Sequence, residues 1–361
     1  MKIAIYGSSL VSSYWNGAAT YYRGILRALA AYGHSITFYE PDAYGRQDHR
    51  DIDPPHWCNV VVYPATGSGL AGVLGQAFNA DVVIKASGVG VFDDELMDGI
   101  VSLSRPGAVR LFWDVDAPAT LAEIGGNPGH PVRRALPYLD AVLTYGGGDP
   151  VIEAYASLGA RMCVPIYNAL DPSTHHPVAL DNRFRADLTF LGNRLPDRER
   201  RVETFFLAAA ARLPDRQMLL GGAGWEDKDC PPNVQKLGHV PTEAHNALNV
   251  SARAILNISR DSMATIGFSP ATRVFEAAGA GACILTDPWP GIDMFLTPGK
   301  EVLVVRDGLD VAEAVQTLTA MRAAAIGQAA LRRVLTEHTY DRRARLLDGL
   351  LTDLAGLRPA A

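Results

Sequence analysis

The chain has 361 residues, a hydrophobic fraction of 48%, a charged fraction of 20% and a formal net charge of -6. This composition is typical of a folded globular protein and excludes a disordered chain. The net acidity, without a long run of like charge, argues against electrostatic binding to nucleic acid or to an anionic membrane. A chain of this length is expected to form two domains of ordinary size.

The cysteine pattern and the N-terminus bear on the compartment. Four cysteines stand far apart without a C-x-x-C pair: Cys58, Cys163, Cys230 and Cys283. This pattern favours reduced thiols over disulfides or a zinc site. The first residues predict a strand and not a signal sequence, and no apolar run approaches the ~20 residues of a membrane-spanning helix. We therefore expect a cytoplasmic protein.

Short β-rich apolar runs alternate with helical patterns in the first half of the chain. Strands are predicted at 2–6, 35–39, 59–63, 81–85, 109–113, 141–144 and 162–167. A helix is predicted at 21–31, ended by Gly33. The alternation is typical of βαβ units with a parallel sheet covered on both faces. It predicts an N-terminal α/β domain over residues 1–170, on the acceptor side.

The segment 171–185 loses the apolar pattern and gathers Pro, Asn and His, which is typical of a linker. Strands are then predicted at 186–193, 217–224, 234–240, 253–259, 282–287 and 301–305. Helices are predicted at 204–212, from Pro270 onward, at 311–324 and at 341–354. These elements predict a second α/β domain at 186–335. Residues 336–361 are predicted to end the chain as a helix, for which packing on the N-terminal domain is one option.

The expected fold class is therefore α/β, with two Rossmann-like doubly wound domains that face each other across a cleft. Ligands of such sheets bind at the carboxyl ends of the strands, so we expect a site between the domains. Many unrelated reactions occur on this architecture. The function must be inferred from the residues at the strand ends.

The first loop, GSSLVSSYWNGAATYYRG, follows the first predicted strand. It lacks the G-x-G-x-x-G fingerprint of dinucleotide-binding domains, which argues against an NAD enzyme. The loop is nevertheless long and polar, and Ser8, Asn16 and Gly17 are candidates for contacts with an acceptor or for a closing loop. An ordinary surface loop is the alternative interpretation.

Asp114 and Asp116 lie at the end of the strand in RLFWDVDAPATL. Such a D-x-D pair can chelate a divalent ion, because carboxylates are hard oxygen ligands. We favour capping of the following turn over a metal. Either aspartate is also a candidate general base for an acceptor hydroxyl.

The segment TFLGNRLPDRERR, residues 189–201, follows a predicted strand of the second domain. Gly192 permits a close approach of the backbone to a ligand. Arg194 and Arg198 carry the forked, permanently charged donors that suit phosphate. The alternative is a solvated helix start whose arginines are neutralised by nearby acidic residues, Asp197 and Glu199. We favour that alternative for two further arginines, Arg200 and Arg201.

A second candidate segment, SPATRVFEAAGAGA, starts at Ser269. Ser269 before Pro270 predicts a helix with a hydroxyl N-cap, whose N–H groups and positive dipole end attract an anion. Arg273 and Glu276 then fall on one face, with Arg273 near the anion and Glu276 placed to accept hydrogen bonds from vicinal hydroxyls. An Arg273–Glu276 ion pair is the alternative. The small apolar remainder of the helix favours a ligand, because buried uncompensated charges are costly.

Together, TFLGNRLPDRERR and SPATRVFEAAGAGACILTDPWPGIDMFLTPGKEVLVV resemble the C-terminal half of GT-B fold glycosyltransferases, specifically the spore-maturation CgeB-like family. The resemblance covers about residues 186–306. It implies that Glu276 binds the ribose of a nucleotide-sugar and that Arg194 binds its phosphates. It also implies a diphosphate-binding set at the helix start: Ser269, Thr272 and Arg273.

The same resemblance implies that the stretch Gly238, His239 and Val240 lines the nucleobase, with a surface histidine as the alternative for His239. Many retaining members carry a second glutamate eight positions before the ribose-binding one, where this chain has Phe268. The stereochemical course is therefore left open. GT-B enzymes usually work without a bound metal, because helix N-termini and basic groups stabilise the leaving diphosphate.

The predicted function is a metal-independent glycosyltransferase that moves a sugar from a nucleotide-diphosphate donor to an unidentified acceptor, which is a small molecule, a glycan or a protein. No further cofactor is expected. Two alternatives remain. One is a nucleotide-sugar epimerase of the same architecture, and the other is a noncatalytic nucleotide-binding or assembly protein.

Overall fold

The computed structural model describes residues 1–14 and 16–356, without the side chains of Ala77 and Asp197. Two compact units are present. The first consists of Met1–Tyr167 and the helix that begins at Tyr340, and the second is Asn168–Thr339. The segment 171–185 belongs to the second unit. Of the predicted C-terminal element at 336–361, residues 357–361 lie outside the described residues.

The chain alternates strands and helices over both units. The strands are β1 (Lys2–Tyr6), β2 (Ser35–Asp42), β3 (Asn59–Pro64), β4 (Val82–Ala86), β5 (Val109–Asp114), β6 (Ala141–Thr144), β7 (Cys163–Pro165), β8 (Leu188–Leu191), β9 (Met218–Gly221), β10 (Val234–Gly238), β11 (Ile255–Asn257), β12 (Ile284–Thr286) and β13 (Leu303–Val304). Each of them overlaps a predicted strand.

The α-helices are α1 (Ala19–Ala31), α2 (Gly67–Gln76), α3 (Asp93–Leu103), α4 (Ala117–Gly125), α5 (Pro131–Ala135), α6 (Gly148–Ser157), α7 (Pro196–Val202), α8 (Ala208–Arg212), α9 (His245–Ser251), α10 (Asp261–Ile266), α11 (Thr272–Ala280), α12 (Gly308–Thr317), α13 (Ala320–Glu337) and α14 (Tyr340–Gly356). A π-helical segment, Glu203–Leu207, joins α7 to α8. None of the helices in the described part of the chain is long and apolar enough to cross a membrane.

Each unit contains one sheet in which all strands are parallel. The orders are β3-β2-β1-β4-β5-β6-β7 in the first unit and β10-β9-β8-β11-β12-β13 in the second. In each sheet the strand order reverses beside the strand that comes first in the chain, between β1 and β4 and between β8 and β11, as in Rossmann-like domains. The predicted class, α/β with two doubly wound domains, is confirmed. The carboxyl ends of β8 and β11 mark the switch point at which such a domain binds ligands.

The small residues of α11 let this helix pack closely in the second unit, against α9 and α13. Gly279 has no room for a side chain against the segment before β8, because a Cβ there would lie 2.3 Å from Leu170 Cδ1. The polar members of the helix, Arg273 and Glu276, are only half-buried, whereas the apolar residues between and after them are buried. The polar face of α11 is therefore oriented by an apolar face that fits its neighbours tightly.

The predicted start of α11 is wrong by two residues. The helix begins at Thr272, and its N-cap is Ala271 in an extended conformation (φ -62°, ψ 148°), without a side-chain cap. The Asn168 side chain, from the start of the unit, donates hydrogen bonds to Thr272 Oγ1 at 3.0 Å and to the Pro270 carbonyl at 3.5 Å. This distant amide contacts the region where a local Ser269 cap was expected.

One further prediction, a single helix at 311–324, is also wrong. The chain leaves the helix after Thr317, and Thr319 caps a new one by accepting a hydrogen bond from the Arg322 N–H at 3.2 Å. The Thr319 hydroxyl thus caps the N-terminus of α13, as threonine side chains commonly do at this position.

Candidate functional site

The backbone of Gly192, directly after β8, is fixed by the loop that follows β9. The Gly192 N–H donates to the Gly221 carbonyl at 2.9 Å, and its carbonyl accepts from Trp225 Nε1 at 2.7 Å. Gly222 has φ +118°, and a Cβ there would lie 2.2 Å from the Gly192 oxygen. Only glycine fits at position 222, since the φ and the close approach both exclude a side chain. The two loops therefore hold Gly192 in one place at the switch point.

Two guanidinium groups approach Gly192. A Cβ at this position would lie 2.6 Å from Arg198 Nη1 and 3.2 Å from Arg273 Nη2. Arg198 comes from α7 and Arg273 from α11, so the two cations reach the same point from different helices. The absence of a side chain at Gly192 leaves room for them.

Among the residues that the structure describes, Arg273 has no carboxylate partner. Within the described chain its guanidinium forms no hydrogen bond or ion pair, and it lies over the Phe190 ring at 5.6 Å from the centroid. Burial, and then the nearby charge of Arg198, lower the pKa of Arg273 to about 10, while Glu276 opposes the shift. Two partly buried like charges destabilise each other, and an anion between them would reverse that repulsion. Their forked donors suit a phosphate.

Glu276, one turn beyond Arg273, faces histidines and does not form the ion pair with Arg273 that was the alternative. His175 Nε2 lies 3.9 Å from Glu276 Oε1. His245, at the start of α9, completes a group of three whose ligand atoms all lie within 4.8 Å of one another. Burial lowers the pKa of His245, which Glu276 opposes. The half-buried carboxylate of Glu276 thus sits beside two imidazoles in a largely enclosed position.

The sequence did not single out His175 or His245. His175 lies in the segment 171–185 that was predicted as a linker, and its nearest sequence signal is the pair His175-His176. Nothing local connects it to Glu276, about a hundred residues later. Only the packing of the start of the unit against α9 and α11 brings these side chains together.

Arg194 differs from Arg273 because its guanidinium is paired with carboxylates. It donates to Glu199 Oε1 at 2.7 Å and to Asp227 Oδ1 at 2.9 Å. Hydrogen bonds from Arg194 and then from Lys228 lower the pKa of Glu199 to about 2. These partners match the neutralised helix start that was the alternative for this cluster. The second proposed neutralising group, the Asp197 side chain, lies outside the described residues.

The prediction that Arg201 is a solvated residue of the helix start is wrong. Its Nη2 donates to Asp287 Oδ2 at 2.6 Å, and the Asp287 carboxylate is fully buried. Asp287 also accepts the Ser259 N–H at 3.1 Å. Burial raises the pKa of Asp287, and Arg201 opposes that shift. The pair ties α7 to the end of β12 and therefore has a structural role, whereas Arg200 is exposed as expected.

The loop before α11 is held in an unusual conformation. Phe268 has φ +50°, in the left-handed region, which is a genuine outlier for a bulky residue. Its N–H donates to the Pro290 carbonyl at 2.7 Å, and a Cβ on Gly291 would lie 2.2 Å from the Phe268 ring. Ser269, next in the chain, is buried. This loop places a ring, and not a carboxylate, where the resemblance has a second glutamate.

Of the three residues predicted to line the base, His239 and Val240 occupy different environments. His239 is exposed, whereas Val240 is buried and its carbonyl accepts a hydrogen bond from His245 Nε2 at 3.1 Å. Val240 is thereby linked to the group around Glu276. The exposure of His239 agrees with a surface histidine, its alternative.

In the first unit, Asp114 at the end of β5 is fully buried and its carboxylate is saturated with donors. It accepts hydrogen bonds from Ser87 Oγ, Thr120 Oγ1 and the Asp116 N–H at 3.0 Å each, and from the Tyr155 hydroxyl at 2.5 Å. Burial raises the pKa of Asp114, and these donors oppose the shift. Such a carboxylate organises the strand end and the start of α4. It has no exposed oxygen to offer an acceptor.

Asp116 is half-buried and occupies the N-cap position of α4 without a side-chain cap bond. Among the described residues, the one group of three or more side chains that could hold a metal ion is His175, His245 and Glu276. The pair Asp114 and Asp116 does not belong to it.

The first loop is largely folded on itself. Ser8 Oγ donates to Asn16 Oδ1 at 3.1 Å, and Asn16 Nδ2 donates to the Ser9 and Ser12 carbonyls at 2.7 and 3.1 Å. Both predicted polar candidates, Ser8 and Asn16, are buried by these contacts. Gly17 is exposed and has open space around it. The polar groups of this loop therefore stabilise its own conformation.

Comparison with known proteins gives a family-model match over part of the chain and a fold. Residues 198–349 match the family model described as glycosyl transferase-like. Sucrose-phosphate synthase from Thermosynechococcus elongatus is similar in structure, with a TM-score of 0.73, 14% identity and 99% of both chains covered. HepE from Anabaena, solved with UDP and glucose, has a TM-score of 0.67, 14% identity, and 98% of this chain and 100% of that chain covered.

An alpha-glucosyltransferase solved with UDP and a 13-mer DNA that contains an HMU base has a TM-score of 0.69 at 10% identity, with 98% of this chain and 99% of that chain covered. No curated protein sequence matches the chain. The structural likenesses establish the GT-B fold that the resemblance implied. The family model bears out the predicted enzyme class, glycosyltransferase. Its match includes α11 and the end of the segment 189–201, from residue 198 onward.

Proposed function

We propose that the chain transfers a sugar from a UDP-linked donor to an acceptor hydroxyl, without a metal in the reaction. The observation that carries this proposal is the approach of Arg198 and Arg273 to Gly192 at the switch point, where no carboxylate of the described part of the chain pairs with Arg273. The donor class is suggested by the UDP named with HepE and with the alpha-glucosyltransferase. Within glycosyltransferases, we assign the chain to the CgeB-like group on the two segments that resemble it.

In this proposal the two arginines bind the diphosphate. Its negative charge increases as the bond from the anomeric carbon to the β-phosphate oxygen breaks, so preorganised cations stabilise the transition state more than the bound donor. Thr272 begins α11 and Ser269 precedes it, so both lie at the positive dipole end of this helix, which adds to the stabilisation. Arg194, with two carboxylate partners, keeps at most a supporting role.

Glu276 is proposed to accept hydrogen bonds from the ribose hydroxyls. It lies one turn along α11 from Arg273, so that ribose and phosphates occupy successive positions on one helix face. A carboxylate that accepts two hydroxyl donors forms charge-assisted hydrogen bonds, the stronger kind. Val240 is proposed as a base-lining residue. Its side chain is buried, and its carbonyl accepts the hydrogen bond from His245, beside Glu276.

The acceptor would be bound by the first unit, where Asp116 is the proposed general base. The acceptor oxygen attacks the anomeric carbon, its proton passes to the base, and UDP leaves with the bonding electron pair. Asp114 is assigned to positioning Asp116, since it binds the Asp116 N–H. Gly17 is the remaining first-loop candidate for an acceptor contact. The proposed compartment is the cytoplasm, based on the scattered single cysteines.

The proposal is tested with a panel of UDP-, TDP- and GDP-linked sugars on the purified chain. We expect UDP-sugars to raise the Tm, because a ligand that binds only the folded state stabilises it. UDP release that increases on addition of candidate acceptors supports a transferase. Isomerised donor without UDP release would favour the epimerase. The absence of any Tm shift with every nucleotide-sugar would contradict the donor site.

A further inference from the structure

We propose that His175, His245 and Glu276 form a binding site for a transition-metal dication of the Zn²⁺ type. Two imidazoles and one carboxylate are a ligand set that suits zinc and its neighbours, and not Mg²⁺ or Ca²⁺, which prefer oxygen ligands. All three side chains belong to the second unit. They come from the segment before β8, from α9 and from α11.

The spacing of the three groups is close to that of a metal site. Their ligand atoms lie within 4.8 Å of one another, and His175 Nε2 is 3.9 Å from Glu276 Oε1. Ligands about 2.1 Å from a tetrahedral zinc ion are separated by about 3.4 Å. Small side-chain rotations are therefore enough to bring the three atoms around one ion. A fourth position remains for water or another small ligand.

The second observation is the state of His175. The residue is only 8% exposed, and its buried Nε2 has no hydrogen-bond partner among the described residues. A buried polar atom without a partner is costly, so such an atom indicates a ligand that the fold itself does not supply. The 3.9 Å separation from Glu276 is too long for a hydrogen bond and leaves space for an ion.

One nitrogen of each imidazole ring is already engaged by the fold, which leaves the other nitrogen for an ion. His175 Nδ1 is 3.0 Å from Thr174 Oγ1, and His245 Nε2 donates to the Val240 carbonyl at 3.1 Å. Hydrogen bonds of this kind on the non-ligating nitrogen orient metal-binding histidines and fix their tautomer. For His245 the bond keeps the proton on Nε2 and the lone pair on Nδ1. Both rings are thus oriented before any ion arrives.

A bound ion would take the Glu276 carboxylate away from the ribose. This consequence rests on the proposed function, in which Glu276 binds the donor. Zinc and donor would then exclude each other, and zinc would act as an inhibitor and not as a catalytic metal. The metal site itself does not depend on the proposed function, because zinc binding is measured without nucleotide.

The test is a titration of Zn²⁺ into the chelator-treated full chain, without nucleotide, by calorimetry. We expect one equivalent to bind and to raise the Tm. His175→Gln and His245→Gln are each expected to weaken binding at least about tenfold. His176→Gln, at the exposed neighbouring histidine, is the matched control and should bind like the wild type. The Tm of each variant without zinc checks that it is folded.

Two results would overturn the site. One is the absence of zinc binding to the wild type. The other is binding that His245→Gln and His175→Gln leave unchanged, or that His176→Gln weakens equally, since either points to other ligands. A chain that binds zinc but no UDP-sugar would refute the proposed function and leave the metal site standing. The reverse result would refute only the metal site.

Discussion

The carboxyl ends of the two sheets both carry polar side chains, but the fold treats them differently. In the first unit, the Asp114 carboxylate accepts four hydrogen bonds from its own chain. In the second unit, Arg273 approaches Gly192 together with Arg198 and has no hydrogen bond or ion pair within the described residues. A polar residue at a strand end is thus a strong ligand candidate where its own fold leaves it unsatisfied. This contrast supports the proposal that the donor binds in the second unit.

The largest effect is expected for Arg273→Gln. Loss of the cation removes charge-assisted hydrogen bonds worth about 1.5 to 3 kcal/mol, so the Kd for UDP should rise about 10- to 100-fold. Uridine, which lacks phosphates, should be affected much less. Calorimetric titration measures both. Equal losses for UDP and uridine would mean that Arg273 does not bind the phosphates.

Glu276→Gln is expected to weaken UDP binding about tenfold, because the amide loses one acceptor and the charge. The specific readout is the preference for UDP over 2′-deoxy-UDP. The wild type should discriminate between them, and the variant should discriminate less. Removing the carboxylate and the 2′-hydroxyl singly and together forms a double-mutant cycle that isolates the interaction of this pair. An unchanged preference in the variant would place the ribose elsewhere.

Gly192→Ala should have a smaller effect, about threefold to tenfold on the Kd for UDP. The added methyl group would lie 2.6 Å from Arg198 Nη1 and 3.2 Å from Arg273 Nη2, so the guanidinium groups must shift. Gly17→Ala is the control, because a Cβ there meets open space. If Gly192→Ala binds UDP like the wild type, the phosphates do not lie at this point.

The smallest effect is expected for the pH dependence of folding stability that Asp114 contributes. Burial raises the pKa of Asp114, so the folded state holds the proton more tightly than the unfolded state. Its stabilising contribution is full below the unfolded pKa of about 3.9 and is lost as the pH rises through the folded pKa. The stability of the wild type relative to Asp114→Asn should therefore decline as the pH rises above about 4. Urea denaturation measures this difference, and a rise with pH would contradict the sign.

Much of the fold was predictable because parallel strands buried on both faces are short continuous apolar runs. That signal located all the described strands, from β1 to β13, within a few residues. The start of α11 was not predictable, because the Asn168 amide that binds Thr272 and the Pro270 carbonyl lies about a hundred residues away. Local cap rules consider only Ser269 and its neighbours.

The candidate site was predictable only where its residues belong to one element. Arg273 and Glu276 share a helix face, which spacing alone determines. The contrast between Arg273 and Arg194 was visible only in part. Glu199 is a neutralising candidate from the sequence, but the reach of Asp227 to Arg194, and not to Arg273, depends on the fold. The two histidines beside Glu276 also required the folded unit. Sequence spacing gives the residues of one element, whereas their partners come from other elements.

Diphosphate binding by Arg273 is tested most directly by measuring UMP and UDP affinities on the wild type, Arg273→Gln and Arg194→Gln. We predict that the wild type prefers UDP over UMP, that Arg273→Gln loses most of this preference, and that Arg194→Gln keeps it to within about threefold. A preference that Arg273→Gln retains, or that only Arg194→Gln abolishes, would contradict the claim that the unpaired arginine of α11 binds the diphosphate.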